Sequence, residues 1–175
     1  MYVTALGTGL RQGELLALRW QDIDLMAGKL TVRHSLQRFT RELAETKTDR
    51  SRRTLRLPAS VTAALAAHRE QQAIISVSGL VFATAAGEPL HSVNVTRSLH
   101  RALRRLGLPQ RRFHDLRHTF ATLALEAGED LAMVSRALGH ASVAITADTY
   151  MHVTPSMRDG LAARMESVLG AGAAS

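Results

Sequence analysis

The chain has no cysteine and few aromatic residues. Without cysteine among its 175 residues, it can form neither a disulfide framework nor a thiolate zinc site. Aromatic residues make up only 4% of the sequence, which favours packed helices over a β-sandwich. It has no run of about 18 apolar residues, so we expect no membrane span. The first residues also lack the charged segment and long apolar run of a signal peptide, which is compatible with a cytoplasmic protein.

Lysine is also scarce, although the chain is basic. Lys29 and Lys47 are its two lysines, and the remainder of its 22 basic residues are arginine, against 15 acidic residues, for a net charge of +7. The planar guanidinium group suits paired contacts with phosphate oxygens. This charge is compatible with a nucleic-acid partner but indicates one only weakly. Apolar residues form 46% of the sequence, so we expect one globular domain.

Hydrophobic periodicity predicts a mainly α domain with a small antiparallel β-sheet (α+β). Alternation from Leu30 to Leu36 predicts one strand, and a second strand around Leu55 is ended by Pro58. The charged segment 37–50 is predicted to be a loop or hairpin tip. A turn is predicted at residues 7–9. Helices are predicted over residues 11–18, 61–75, 97–106, 115–127, 130–138 and 142–150, and in a last segment that carries Leu161, Met165, Val168 and Leu169.

A set of basic residues followed by a phenol lies between positions 114 and 150. His114, Arg117 and His140 precede Tyr150 in this part of the chain. Phosphoryl transfer needs positive donors around the non-bridging oxygens, a proton source for the leaving oxygen and an in-line nucleophile. Together with basic residues upstream, this set suits breaking and rejoining a DNA phosphodiester without a metal or nucleotide cofactor.

The pair His114 and His118 also has the i, i+4 spacing of a zinc-protease helix. That motif needs glutamate directly after the first histidine, whereas Asp115 stands here. Arg117 would place a cation inside the metal site. We therefore expect no metal site, and interpret His118 as a packing or supporting residue.

Five segments resemble, in order, the conserved segments of tyrosine recombinases of the phage-integrase type. Residues 8–24, from Thr-Gly-Leu-Arg to Asp-Ile-Asp, resemble the first conserved box, and residues 46–53 resemble the hairpin that carries the catalytic lysine. Phe-His-Asp-Leu-Arg-His-Thr at 113–119 and Leu-Gly-His at 138–140 resemble the second box, and Asp-Thr-Tyr at 148–150 the nucleophile segment. The resemblance covers about residues 3 to 155. It implies the catalytic-core fold of DNA breaking-rejoining enzymes.

The resemblance implies that Tyr150 attacks the scissile phosphate and forms a 3′-phosphotyrosyl link with a free 5′-hydroxyl. Arg11 and Arg117 would bind the non-bridging oxygens, each from near the start of a helix. Glu14, three residues after Arg11, could hold its guanidinium group in place. The alternative interpretation is that Tyr150 is an exposed tyrosine and that Arg11 and Arg117 are ordinary surface arginines with no catalytic role.

The remaining catalytic roles concern proton transfer. The resemblance assigns the general acid for the 5′ oxygen to Lys47, with Lys29 as the weaker candidate and a solvated loop lysine as the alternative. His114 and His140 would donate to the phosphate, and His114 could also help to remove the proton of Tyr150.

A second set of arginines is predicted to bind the DNA backbone. Such contacts set affinity and salt dependence more than sequence choice. A charged helix face exposed only to solvent is the alternative. The set comprises Arg50, Arg52, Arg53, Arg97, Arg101, Arg104, Arg111 and Arg112.

We expect residues 1–175 to be a recombinase catalytic domain from which an N-terminal core-binding domain is absent, with a C-terminal helix and flexible tail over 156–175. The expected partners are double-stranded DNA and further protomers, as a tetramer on paired sites and a monomer when free, in the cytoplasm at the nucleoid. The C-terminal stripe would dock on a neighbouring protomer or on its own domain. A DNA-binding relative without activity and a type IB topoisomerase-like enzyme are the alternatives.

Overall fold

The computed structural model describes residues 1–37, 43–45, 52–72 and 79–150. This part of the chain is mainly helical, as the sequence predicts. Its helices are α1 (Tyr2–Thr8), α2 (Gln12–Leu16), α3 (Ala59–Gln71), α4 (Ser92–Arg105), α5 (Asp115–Glu126), α6 (Leu131–Leu138) and α7 (Val143–Tyr150).

Short antiparallel strands form two small sheets. The strands are β1 (Ile23–Asp24), β2 (Lys29–Val32), β3 (His34–Leu36), β4 (Leu43–Glu45) and β5 (Arg53–Arg56). The first sheet has the order β1-β2-β5, and the second pairs β3 with β4.

The prediction of one continuous strand from Leu30 to Leu36 is wrong. Val32 pairs with Arg53 in the first sheet, whereas His34 pairs with the main chain of residue 45 in the second. The chain therefore changes partner at Arg33, and the uniform alternation of apolar residues hides this break because both strands bury the same face.

The predicted turn at residues 7–9 is shorter than expected. Helix α1 continues through Gly7 and ends at Gly9, whose φ of 64° is left-handed. Gly7 is required for packing instead, because a Cβ at this position would overlap Val61 of α3. Helix α1 also packs against α5, which brings the residues after Gly9 close to those at the start of α5.

Two groups of buried apolar side chains form the interior. The larger one joins α1 to α4 with the strands, through residues such as Leu16, Leu30 and Leu65. The smaller one lies between α5, α6 and α7 and includes Leu125, Leu138 and Tyr150.

The last three helices lie within about one residue of their predicted bounds. Asp130 caps α6 by accepting from the main-chain N–H groups of Ala132 and Met133, and the left-handed Gly139 ends it. Helix α3 ends at Gln71, while the rest of its predicted range and the C-terminal stripe lie outside the described residues. Within the described ranges, every helix is too short or too polar to cross a bilayer.

Candidate active site

Three segments that are far apart in the sequence line one open cleft of about 540 Å³. Arg11 comes from the residue before α2, His114 and Arg117 from the start of α5, and His140 from the loop after α6. Four of the predicted site residues are therefore neighbours, and two of them, Arg11 and Arg117, are arginines.

Glu14 holds the main chain and the guanidinium group of Arg11. Its Oε2 accepts from the Arg11 main-chain N–H at 2.8 Å, and its Oε1 accepts from Arg11 Nη1 at 3.0 Å. This is the contact that the i, i+3 spacing predicts. The Arg11 side chain keeps 42% of its surface exposed, against 3% for Glu14, so a carboxylate in the interior orients a cation that reaches the cleft.

Arg117 is buried and bound to main-chain carbonyls on two sides. Its Nη1 donates to Gly9 at 2.8 Å and its Nη2 to Leu138 at 2.7 Å. Burial, and next the charge of Arg11, lower the pKa of Arg117 to about 10, so it stays charged at neutral pH. The side chain thus links the end of α1 to the end of α6 and places a positive charge beneath the cleft.

Arg53 does not lie on the surface. This position corrects the prediction that Arg53 contacts the DNA backbone. Its side chain is 6% exposed. Nε donates to Ala137 at 2.6 Å, and Nη1 and Nη2 donate to the two oxygens of Glu14 at 3.1 and 2.9 Å. A guanidinium group that is buried in these contacts cannot also reach a phosphate in a DNA groove.

His140 is held from the side of α7. Its Nδ1 lies 2.7 Å from the hydroxyl of Thr146, which is fully buried. Burial, followed by the positive charges of Arg117, Arg11 and Arg53, lowers the pKa of His140 to about 4. The imidazole is therefore neutral at pH 7 and can donate from one ring nitrogen while the other contacts Thr146.

His114 is the more exposed of the two predicted histidines. Burial, followed by the neighbouring His118 and Arg117, lowers its pKa below the ordinary value of 6.5. Its ring meets that of His118 edge to face, with the centroids 4.8 Å apart. A neutral imidazole at this position can accept a proton.

Tyr150 is 3% exposed, and its phenol lies 2.8 Å from Nδ1 of His118. Burial raises the pKa of the phenol, against the opposing charge of Arg117. Tyr150 is not among the described residues that line the cleft, but His118 contacts both Tyr150 and the cleft residue His114.

The sequence predicted only a packing or supporting role for His118 and gave no indication of Thr146, whereas the structure shows both in contact with predicted site residues. The spacing of His118 from His114 places both on one face of α5, which could have suggested that they act together. Thr146 lies four residues before Tyr150 on α7, but threonine in a short apolar helix carries no signal of its own.

Other predicted residues lie away from these contacts. Lys47 and Arg50 are outside the described residues, and Lys29 begins β2 with an exposed side chain. The described residues contain no group of three or more acidic or histidine side chains that could hold a metal ion. The remaining predicted DNA-binding residues are all exposed, namely Arg52, Arg97, Arg101, Arg104, Arg111 and Arg112.

Residues 1–157 match the phage integrase family. A "Tyrosine recombinase XerC-like" protein of Caldanaerobacter subterraneus subsp. tengcongensis is 35% identical over 180 residues, which cover 90% of this chain and 46% of that protein. The integrase of Mycobacterium phage FRAT1 is 33% identical over 169 residues, or 93% of this chain and 50% of that protein.

Solved structures agree with the sequence relatives. The Tn1549 transposon integrase in complex with a circular intermediate DNA has a TM-score of 0.79 at 26% identity, covering 95% of this chain and 57% of that one. The XerA recombinase has a TM-score of 0.74 at 25% identity, covering 93% of this chain and 54% of that one.

The chain therefore belongs to the phage integrase family of tyrosine recombinases, and its fold is that of their catalytic domains. It spans about half the length of the curated relatives that it matches.

Proposed function

We propose that this chain is the catalytic domain of a site-specific tyrosine recombinase that cuts and rejoins DNA through a 3′-phosphotyrosyl link. The observation that carries the proposal is that one cleft is lined by Arg11, His114, Arg117 and His140. The phenol of Tyr150 is connected to this cleft through His118, which contacts both Tyr150 and His114. Family membership supports the same chemistry.

The cleft is suited to a phosphodiester because its donors are cationic or neutral. Arg11 and Arg117 supply positive charge to the non-bridging oxygens, which gain charge in the five-coordinate transition state. His140 adds a neutral donor when its Nδ1 accepts the hydroxyl proton of Thr146 and its Nε2 carries the ring proton. None of these roles requires a metal ion.

In the proposed first step the phenolic oxygen of Tyr150 attacks phosphorus, and the bond to the 5′ oxygen breaks. The phenol gives its proton to His118, its direct partner, with His114 as the next acceptor. Lys47 protonates the leaving 5′ oxygen. In the second step a 5′-hydroxyl attacks the phosphotyrosine and the bond between phosphorus and the Tyr150 oxygen breaks. The hydroxyl gives its proton to Lys47, and the phenol takes its proton back from His118. The phosphodiester energy is conserved, so no ATP is needed.

Attack also requires the phenol to face the scissile phosphate. Tyr150 is buried in the smaller apolar group, and its hydroxyl contacts His118 rather than the open cleft. We propose that the segment around Tyr150 moves towards the cleft when DNA is bound.

The proposed substrate is the double-stranded DNA of a mobile element in the cytoplasm. Transposon and phage integrases are among the proteins that this chain resembles, and the Tn1549 integrase structure contains DNA. The exposed arginines of α4 supply the phosphate contacts in this proposal. Cleavage of one strand per active site implies that protomers cooperate on paired sites, as a tetramer.

Covalent capture on nicked DNA tests the proposed chemistry without knowledge of the target sequence. A library of duplexes with a nick and randomised flanks is incubated with the protein, and DNA that stays attached under denaturing conditions is sequenced. We expect the wild-type chain to attach to the 3′ phosphate of the cut strand. Tyr150→Phe should reduce attachment at least a thousandfold while changing DNA affinity less than threefold.

Tyr2→Phe is the matched control, because Tyr2 is the other of the two tyrosines and its hydroxyl donates to the Val95 carbonyl away from the cleft. It should leave attachment at the wild-type level. Adduct formation by Tyr150→Phe would refute the nucleophile assignment. DNA binding without an adduct by the wild type would instead support a silent relative, and relaxation of supercoiled plasmid without strand exchange would support a topoisomerase-like enzyme.

A further inference from the structure

Three arginines donate to three consecutive main-chain carbonyls at the C-terminal end of α6. The carbonyls there lack helical partners and lie at the negative end of the helix, so cations stabilise them. The pairs are Arg53 Nε with Ala137 at 2.6 Å, Arg117 Nη2 with Leu138 at 2.7 Å and Arg11 Nη2 with Gly139 at 3.3 Å. His140 follows directly, so these contacts fix the turn that presents it.

Arg53 differs from the other two arginines because it does not line the cleft that the described residues form. Both of its Nη atoms are directed at Glu14, whose Oε1 also accepts from Arg11. The Arg53 and Glu14 side chains are 6% and 3% exposed. One buried carboxylate therefore lies between an interior arginine and an arginine of the cleft.

Gly139 gives separate evidence that this packing is tight. Its φ of 67° is left-handed, and a Cβ at this position would lie 2.8 Å from Arg53 Nη1. The turn that carries His140 is thus built directly against the guanidinium group of Arg53.

We propose that Arg53 is a positioning residue for strand cleavage, an inference that rests on the proposed function. It fixes Glu14 by a two-pronged ion pair, and Glu14 in turn orients Arg11. It also binds the end of α6 and so holds His140 beside Arg11. Arg53 itself touches no DNA. It connects β5, the strand that follows the predicted Lys47 hairpin, to the phosphate-binding groups.

Four variants, two of Arg53 and one each of Arg56 and Arg52, separate positioning from DNA contact. Arg53→Met removes both roles of the guanidinium group, and Arg53→Lys keeps the charge but cannot reach Glu14 and Ala137 together. Arg56→Met is the matched control, because Arg56 is exposed on the same strand. Single-turnover adduct formation is measured at saturating captured DNA, together with DNA affinity at several salt concentrations and the melting temperature.

We expect Arg53→Met to slow adduct formation at least tenfold with DNA affinity within twofold and an unchanged salt slope. Arg53→Lys should fold and be slowed to an intermediate degree, while Arg56→Met should match the wild type. Arg52→Met is the reference for loss of a phosphate contact. It should bind DNA more weakly, and the slope of log affinity against log salt concentration should be smaller by about one. If Arg53→Met behaves like Arg52→Met, or if Arg53→Lys cleaves at the wild-type rate, the proposal is wrong.

The pKa of His140, measured by NMR titration, can be compared between variants without an activity assay. The positive charge of Arg53 helps to lower the pKa of His140, so Arg53→Met should raise that pKa and Arg56→Met should not. An unchanged His140 titration in Arg53→Met would overturn the positioning role. A wild-type chain that forms no adduct would overturn the proposed function, and the His140 titration would still decide whether the charge of Arg53 lies beside this turn.

Discussion

The phenol of Tyr150 lies in a hydrogen bond with His118 instead of facing solvent. A phenol is a weak nucleophile at neutral pH, and burial makes it weaker by raising its pKa. A neighbouring imidazole offsets this because it can accept the proton as the oxygen attacks. The contact is made by Nδ1 of His118 at 2.8 Å, whereas His114 contacts His118 and not the phenol.

This geometry predicts different effects for two substitutions of His118. Asparagine places a polar atom near the position of Nδ1, whereas glutamine places one near Nε2. Neither amide can accept a proton, so we expect both variants to slow covalent adduct formation by about a hundredfold or more, the lower end of the range for loss of a proton acceptor. We expect His118→Gln to be slower than His118→Asn, because it also loses the hydrogen bond that places the phenol. Single-turnover adduct formation from pH 6 to 9 is the measurement.

Both His118 variants should bind DNA with wild-type affinity, because His118 faces the phenol and is not among the described residues of the cleft. Wild-type rates in both the asparagine and the glutamine variant would argue that His118 only packs. A rate in His118→Gln above that of the wild type would show that the contact restrains the nucleophile.

Helix α7 supports two histidines from one face. Thr146 and Tyr150 are four residues apart, so their hydroxyls point to the same side of the helix. One contacts His140 and the other contacts His118. Movement of α7 would change both contacts together, which would couple the position of the proposed nucleophile, Tyr150, to the orientation of the proposed phosphate donor, His140.

The turn after α6 can be tested with two glycines that have the same left-handed φ. Gly139 and Gly107 both have φ of 67°, but a Cβ at Gly139 would meet Arg53 Nη1 at 2.8 Å, whereas one at Gly107 would meet nothing within 4 Å. Alanine at either position should cost about 1–2 kcal/mol of unfolding free energy from the left-handed backbone. Gly139→Ala should lose more stability and also most adduct formation.

Urea unfolding of the two glycine variants, followed by adduct assays on the folded fraction, provides the comparison. Gly107→Ala is expected to cleave normally once folded, since its cost is confined to the backbone. Equal stability losses for the two variants would mean that the turn moves away from Arg53 without penalty.

The helices could be predicted from the sequence better than the strands. The residues that line the cleft could be predicted better than the residues that hold them in place. Arg11, His114, Arg117 and His140 could be identified because each lies in a distinctive local motif. Arg52 and Arg53 are adjacent arginines in a basic run, and only the strand decides that one faces solvent while the other is buried against Glu14. The contacts of His118 and Thr146 likewise depend on how α5, α6 and α7 pack, which local spacing does not determine.

Across the whole molecule, the buried cationic site makes stability depend on pH. The pKa of His140 is about 4 in the folded chain and near 6.5 when unfolded, so between these values the unfolded state binds the proton and the folded state does not. Stability therefore falls as the pH decreases from 6.5 to 4. The lowered pKa values of His114 and Glu14 act in the same direction.

We predict that the melting temperature of the DNA-free protein decreases between pH 7 and pH 5, and that His140→Asn removes part of this decrease. Because the ring is partly exposed, screening reduces the contribution to about 1 kcal/mol, or about 2–4 °C for a chain of this size. Calorimetry of both proteins at matched ionic strength is the measurement. His91→Asn, which changes an exposed histidine at the start of α4, should leave the slope unchanged.

Bound DNA should weaken this pH dependence, because a phosphate in the cleft stabilises a proton on His140. Binding should then take up protons near pH 5.5, and DNA affinity should increase as the pH decreases towards that value. His140→Asn should lose this increase in affinity at constant salt. Arg97→Met removes an exposed charge on α4, so it should weaken DNA binding at every pH and still show the increase at low pH. If His140→Asn keeps the increase, the phosphate does not contact His140.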